Sequence, residues 1–504
     1  MTHDACRSEL TKAASNSLRD GRAVTSPTDP PQHPLARLRA ALGLSHGGYA
    51  RVVADTHASL GYGPILARRE KVSRWESGHA VPSPTAQLAM ASIHGVDQHD
   101  MTRLGWPHWL HLATDDAALL EGCWSPGAAV RAAHTAAVLA HPSRARRQTL
   151  AVTGAALRGQ LQSALNVLEH PPALSGQDGS PLPEQALAWT ERRLRTLEVQ
   201  EATSPVTAPV LTYAARAEHQ LITELLATST YGPATAARLF YLGARAARLC
   251  ACLSTCLSET AEAERYALSS VRSGAAAGSG RQVVAGLATL SGIHAVLGNP
   301  HDALLSIDAA RRVPRAAAAS VHVLDCWEAL ARTRLADAPA GFRSLRRAEH
   351  AVDGPAPMEE EPVSDLERGP DHEAPLRPDL DAMRITLCSG LAWLEQGKAG
   401  RALADFADLT GGGPYEDAPS PFAPGVLRYV ADAQLAAGEL DGAVESTRRA
   451  TALAGRLPVA LAEDFRRLFA PYRDEPRVRE VLETLPRHAD ATPGPPPGPA
   501  ARGR

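Results

Sequence analysis

The chain has 504 residues, 52 of them Lys or Arg and 55 Asp or Glu, for a formal charge of −3, with 44% hydrophobic and 4% aromatic residues. That length allows about two to four domains. The apolar share excludes wholesale disorder, and the near-balance of charge excludes a wholly polybasic protein while leaving room for a local basic patch.

Alanine occurs 94 times. It is the best helix former and a poor strand former, so an all-α fold of closely packed helices is predicted. Lysine occurs only at Lys12, Lys71 and Lys398, which leaves 49 arginines. The seven cysteines are odd in number and scattered. Residues 1–30 hold no signal-like apolar stretch, and no apolar run reaches the roughly 18–20 residues of a membrane helix. The expectation is a reduced, cytoplasmic protein with no membrane association.

Residues 1–33 read as a mobile leader ending in Pro30-Pro31. Residues 34–112 follow as a compact first domain. Leu35, Leu38 and Leu42 have helical spacing, and Gly43 ends that helix. Ser45 is placed to cap a second helix that turns Tyr49, Val52 and Val53 inward. A third helix is predicted over Leu66–Ser77, stopped by Gly78. Ser83 and Pro84 open a fourth, carrying Leu88, Met90 and Ile93 and closed by Gly95. Asp97 caps a short fifth helix with Met101 and Leu104.

The third helix carries the chemistry. Its stretch from Leu66 to Arg74 holds Arg68, Arg69, Lys71 and Arg74 against one acid, Glu70. Ala67, Lys71 and Arg74 share a rough face, while Val72 and Trp75 lie together on the opposite side and should be buried. Such a helix suits the major groove of DNA, where Arg and Lys donate to guanine O6 and N7. Glu70 would accept from cytosine N4 or orient Arg74 four residues on. A merely solvated basic face is the competing reading. Residues 34–112 hold eight cations against five acids, net +3, in a chain that is otherwise acidic. A basic module on an acidic body suits phosphate attraction at one end and repulsion elsewhere.

Leu38-Arg39, Gly43-Leu44-Ser45, Val72-Ser73-Arg74-Trp75-Glu76-x-Gly78 and Val81-Pro82-Ser83 together resemble the XRE-type, phage-repressor-like helix-turn-helix domains. The resemblance implies a five-helix DNA-binding domain. Arg69, Glu70, Lys71 and Ser73 would face bases, Arg68 and Arg74 would reach bases or phosphates, and Ser45 would join the DNA-binding set. It further implies that Arg39, Trp75, Glu76 and Gly78 are structural, with Arg39 and Glu76 in a partly buried ion pair between helix one and the end of helix three. The chain departs from the pattern in one place. Ser45 and Val72 stand 27 residues apart, about a dozen more than the family uses. Either helix two is longer or a loop is inserted, with Gly61-Tyr62-Gly63-Pro64 as its turn.

Residues 113–485 read as a succession of Ala/Leu/Arg helices, interrupted at 353–381 by a stretch with ten acids and six prolines that reads as a solvated insertion. A weak period runs through the helices. Leu290, His294, Gly298, Ala303, Ile307 and Ala310 define a frame that fits Gly390, Trp393, Gly397, Ala402 and Phe406, and again Val430, Gly438, Ala443 and Ala450. Poorer copies place Cys250, Ser258, Ala263 and Ala267, and Ala336, Gly341, Leu345 and Ala348. Turns then fall at 258, 298, 336, 397 and 438. In each unit two helices meet at the turn, a small residue sits where they cross, and a larger one fills the groove to the next unit. The frame resembles a degenerate tetratricopeptide repeat, with a generic α-solenoid as the rival; either implies a concave face for a peptide, a protein or a small-molecule effector. The whole order resembles actinobacterial regulators of differentiation and secondary metabolism that join an XRE domain to such repeats.

Other features take plainer readings. Cys250 and Cys252 point about 200° apart on one helix, so Cys250, Cys252 and Cys256 read as core thiols. His94, His99, His108 and His111 are not taken as a zinc site, and Gly105–His111 is expected to pack the first domain against the repeats. Arg144, Arg146 and Arg147 read as a solvated helix end. No catalytic motif stands out, so neither enzyme activity nor a cofactor is expected. Residues 486–504 are Pro/Gly/Arg-rich and read as a disordered tail. The expectation is a sequence-specific regulator that binds double-stranded DNA as a homodimer, because one short helix buries little. The alternative is an interaction scaffold whose first domain no longer touches DNA.

Overall fold

The computed structural model describes residues 33–113, 126–139, 152–170, 180–203, 208–313, 321–353, 378–410 and 422–486. The expectations for the leader before residue 33, for Arg144, Arg146 and Arg147, for most of the acidic stretch and for the tail beyond 486 lie outside them.

The described fold is all-helical apart from a two-residue parallel bridge between Ser180–Pro181 (β1) and Ser229–Thr230 (β2). No described helix is long and apolar enough to cross a membrane. The chain divides into two compact units, one of Met1–Gly122 with Arg146–Gln160, the other of Cys123–Ala145 with Leu161–Arg504. The first therefore reclaims a later segment that the sequence assigned to the repeats.

In the first unit the helices are α1 (Pro34–Ala41), α2 (His46–Ser59), α3 (Arg69–Glu76), α4 (Pro84–His94) and α5 (Gln98–Leu104), followed by a 3₁₀ turn at His108–Ala113. Local capping chemistry sets most of their ends. Ser45 Oγ accepts from the Gly48 amide, Ser83 Oγ from Ala86 and Asp97 from His99, each relieving an amide with no partner inside its helix. Leu35, Leu38, Tyr49, Val53, Val72, Met90, Met101 and Leu104 are buried as expected, while Val52, Leu88 and Ile93 are half-buried. Trp109 is fully buried in this unit's own core and its indole donates to Gln87 at 3.2 Å, so the aromatic segment after α5 helps complete the first domain.

The second unit opens with α6 (Pro126–Leu139); α7 (Gly154–Glu169) supplies its later residues, and α8 (Glu184–Thr203) and α9 (Ala208–Thr228) follow. Then come α10 (Pro233–Cys256), α11 (Thr260–Ala276), α12 (Gly280–Val296), α13 (Pro300–Arg311), α14 (Val321–Arg334), α15 (Ala338–Asp353), α16 (Pro378–Glu395), α17 (Ala399–Thr410), α18 (Ala423–Ala436) and α19 (Leu440–Ala454). The unit ends with α20 (Val459–Leu468), a 3₁₀ turn and α21 (Pro476–Thr484). Asp353 closes α15, and Pro378 to Asp381 open α16, so both ends of the expected acidic loop are helical; 354–377 lie outside the described residues.

The five turn positions read from the period share one backbone state. Ser258, Gly298, Ala336, Gly397 and Gly438 all have positive φ, between 57° and 82°. After each, the next amide bonds back to the carbonyl five residues earlier, from Glu259 to Ser254, Asn299 to His294, Asp337 to Arg332, Lys398 to Trp393 and Glu439 to Gln434. This is the Schellman ending of a helix, which a left-handed residue makes possible. The turns join α10 to α11, α12 to α13, α14 to α15, α16 to α17 and α18 to α19, and in each case the joined helices pack together. A sixth turn of the same kind lies at Gly278, between α11 and α12, which the 40-residue frame stepped over. The frame's inward residues Ala263, Ala267, Ala303, Ile307, Ala310, Leu345, Ala348, Ala402, Phe406, Ala443 and Ala450 are all buried.

Ion pairs reinforce these contacts. Asp325 and Glu328 on α14 both accept from Arg311 of α13, at 2.7 and 2.6 Å, and from Arg347 of α15, at 2.8 and 3.0 Å. One acidic pair thus holds three helices, and its carboxylates are themselves nearly inaccessible.

Candidate nucleic-acid interface

The α3 helix is shorter than its sequence suggested. It begins at Arg69, with Arg68 as an extended N-cap (φ −108°, ψ 125°), and stops at Ser77 and the left-handed Gly78. The Arg68 amide donates to Leu66 O at 3.1 Å. Ala67 therefore does not share a helical face with Lys71 and Arg74.

The two sides of α3 differ as its pattern requires. Val72 is fully buried and Trp75 nearly so, while Arg68, Arg69, Glu70, Lys71, Ser73 and Arg74 are exposed. Four cations and one acid thus face water together. The acid is tied to its neighbour: Arg69 Nε donates to Glu70 Oε1 at 3.0 Å. Glu70's own backbone amide, and then Arg69, hold its carboxyl below the usual carboxylate range. The expected orientation of Arg74 by Glu70 is replaced by this pairing. Both side chains stay well exposed, so the pair is weakly held and open to exchange.

What fixes the helix is its far end. Arg39 of α1 meets Glu76 in a two-pronged contact, Nε to Oε1 at 2.6 Å and Nη2 to Oε2 at 3.0 Å, with side chains only 16% and 9% exposed. The remaining Arg39 nitrogen donates to Leu44 O at 2.7 Å, and His46 Nε2 reaches Glu76 Oε2 at 2.9 Å. One carboxylate therefore joins the end of α3 to α1 and to the first residue of α2. His46 had no part in the sequence reading; the first residue of a capped helix carries no spacing signal for a contact 30 residues away.

The extra residues between α2 and α3 divide between both alternatives. The α2 helix runs for 14 residues, and an ordered connector follows to Arg68. Gly61 and Gly63 take positive φ, the Tyr62 amide donates to His57 O, and His57 Nδ1 donates to Gly63 O at 2.7 Å. The ring of Tyr62 leans on that of His57, centroids 5.4 Å apart.

Ser45 has its hydroxyl oxygen engaged by the Gly48 amide at 3.1 Å yet remains exposed, so its hydroxyl hydrogen can still donate outward. Arg51 of α2 is a further exposed cation outside the predicted contact set, and His79 is exposed just after α3. Elsewhere, His94 meets the Tyr49 hydroxyl at 2.8 Å in the interior. Cys250 is buried, and Cys256 donates to Cys252 O on its own helix. Among the described residues no cluster of three His, Cys, Asp or Glu has the form of a metal site.

No protein-family model matches the chain, and no curated protein matches its sequence.

Proposed function

We propose that the chain is a sequence-specific, double-stranded-DNA-binding transcriptional regulator of the XRE helix-turn-helix type, with α3 as its recognition helix in the major groove. The observation that carries this reading is the division of α3: Val72 and Trp75 buried, Glu76 clamped to Arg39 and His46, and Arg68, Arg69, Lys71, Ser73 and Arg74 left open. A helix whose backbone is held by its buried side, with cations exposed around it, presents donors to guanine edges and phosphates with little further ordering of the backbone. Lys71 and Arg69 are assigned to bases, Arg68, Arg74 and Arg51 to bases or backbone, and Ser45 to a phosphate.

The second unit, in this reading, is a tetratricopeptide-like α-solenoid that takes a peptide, protein or small-molecule effector or a second copy of the chain. The repeated Schellman turn is its support. Binding as a homodimer to two half-sites would supply the affinity that one short helix lacks.

The test is a gel-shift series of the full chain against genomic fragments. Log affinity falls linearly with log salt if phosphates are neutralised. Arg69→Glu with Lys71→Glu abolishes specific complexes while helical circular dichroism is unchanged. Absence of any complex with the unaltered chain at low salt would leave the interaction-scaffold reading in its place.

A further inference from the structure

The connector before α3 leaves large apolar side chains in water. Leu66 is 65% exposed, and Leu60 and Tyr62 are also exposed. Apolar side chains grouped on an ordered surface and rimmed by polar ones mark a contact site. This connector is ordered: its backbone is tied to His57 at Gly63 and Tyr62, and Leu66 O receives the Arg68 amide. Leu66 therefore stands two residues before the N-cap of α3, on the ordered backbone that leads directly into the cations Arg68, Arg69 and Lys71.

Charge selects the occupant. The exposed ionic groups of α2, the connector and α3 include Arg51, Arg68, Arg69, Lys71 and Arg74, against Asp55 and Glu70. A second copy docked here through a two-fold axis would set these cations against their own images. A polyanion would not, and among polyanions duplex DNA offers apolar groups on its major-groove edge, the 5-methyls of thymine.

We infer that the connector is a second base-reading element in which Leu66 packs against a thymine methyl next to the bases read by α3. This rests on the DNA-binding reading above and extends it to a part of the chain that the helix-turn-helix resemblance does not cover. The Leu66 side chain contributes discrimination at that step, while the α3 cations supply contacts to guanine and phosphate.

The full-length chain would first select duplexes from a random-sequence library. Each thymine of the selected site is then replaced in turn by deoxyuridine, which removes only the methyl group, and affinity is measured for the unaltered chain and for Leu66→Ala. The expected result is a loss of about fourfold at one thymine flanking the α3 contacts, the equivalent of one buried methyl group. Leu66→Ala binds the thymine and uracil forms equally, with an unchanged salt slope and melting curve. Indifference of the unaltered chain to every thymine-to-uracil exchange, or the same loss persisting in Leu66→Ala, would overturn the assignment and leave DNA binding intact. Failure of the unaltered chain to select any sequence would overturn both.

Discussion

Arg39 and Glu76, separated by 37 residues, form a two-pronged ion pair that closes the first unit around α3. Each partner has further bonds, Arg39 to Leu44 O and Glu76 to His46, so removing either strands more than one polar group. Arg39→Ala or Glu76→Ala is expected to destabilise the first unit by about 3 kcal/mol, because the surviving charge is left largely dehydrated and unpaired. Arg39→Ala should be the milder, since His46 remains beside Glu76. Hydrogen exchange of α1–α4 amides in the full chain reads this directly; protection equal to that of the unaltered chain would remove the pair from the fold's support.

His94 predicts an acid sensitivity. Burial lowers its pKa to about 4, against about 6.5 in the unfolded chain. Folding therefore favours the neutral ring. Above pH 6.5 neither state is protonated and nothing is lost. Between 6.5 and 4 the unfolded chain takes up a proton that the folded one refuses, so stability falls with pH, by up to about 3 kcal/mol. His33 is lowered too, mainly by burial, and adds in the same direction. Exchange protection of the first unit measured from pH 7 to pH 4 should decline along this course, and His94→Gln should flatten it.

The shared turn geometry makes Ser258 and Ala336 unfavourable residues in favourable places. Both have a Cβ at positive φ, where glycine has no penalty. Ser258→Gly and Ala336→Gly are each expected to stabilise the second unit by about 1 kcal/mol, and Gly397→Ala or Gly438→Ala to cost about as much. Thermal unfolding of the four variants checks the sign; no difference between the two directions would contradict the Schellman assignment.

Gly390 and Phe406 mark where α16 crosses α17. A Cβ on Gly390 would overlap the Phe406 ring. Gly390→Ala is expected to destabilise by roughly 2 kcal/mol through overpacking. The double variant with Phe406→Leu should recover part of that loss, and a double-variant cycle showing strict additivity would place the strain elsewhere.

The α3 cations carry the functional prediction. On the proposed reading, Arg74→Ala weakens all duplexes about equally and lowers the salt slope by about 1 if Arg74 touches a phosphate, whereas Lys71→Ala, assigned to a base, relaxes preference at one position. Competition binding across a substituted site separates the two, and uniform weakening by both would move Lys71 to the backbone.

Much of this was readable in the chain because the deciding interactions are local. Ser45, Ser83 and Asp97 reach amides two or three residues away, and Gly43, Gly78 and Gly95 sit at left-handed stops. Alanine at helical spacing determines an all-helical body, since small side chains let helices approach closely, and the five expected turns have one geometry. Val72 and Trp75 share the buried side of α3 for the same reason, a fixed angle per residue, and the cations remain exposed around it.

What only the tertiary structure decided involves partners that no short-range rule names. His46 joining Arg39 and Glu76, the pairing of Glu70 with Arg69 over Arg74, the connector tied to His57, and Trp109 turned into the first unit all depend on which surfaces meet. The late start of α3 belongs with them, its first residues drawn into an extended connector. Periodicity tells which side of a helix is apolar; the element that covers it is chosen by the summed burial and hydrogen bonding of distant segments, and that sum exists only once the chain has folded.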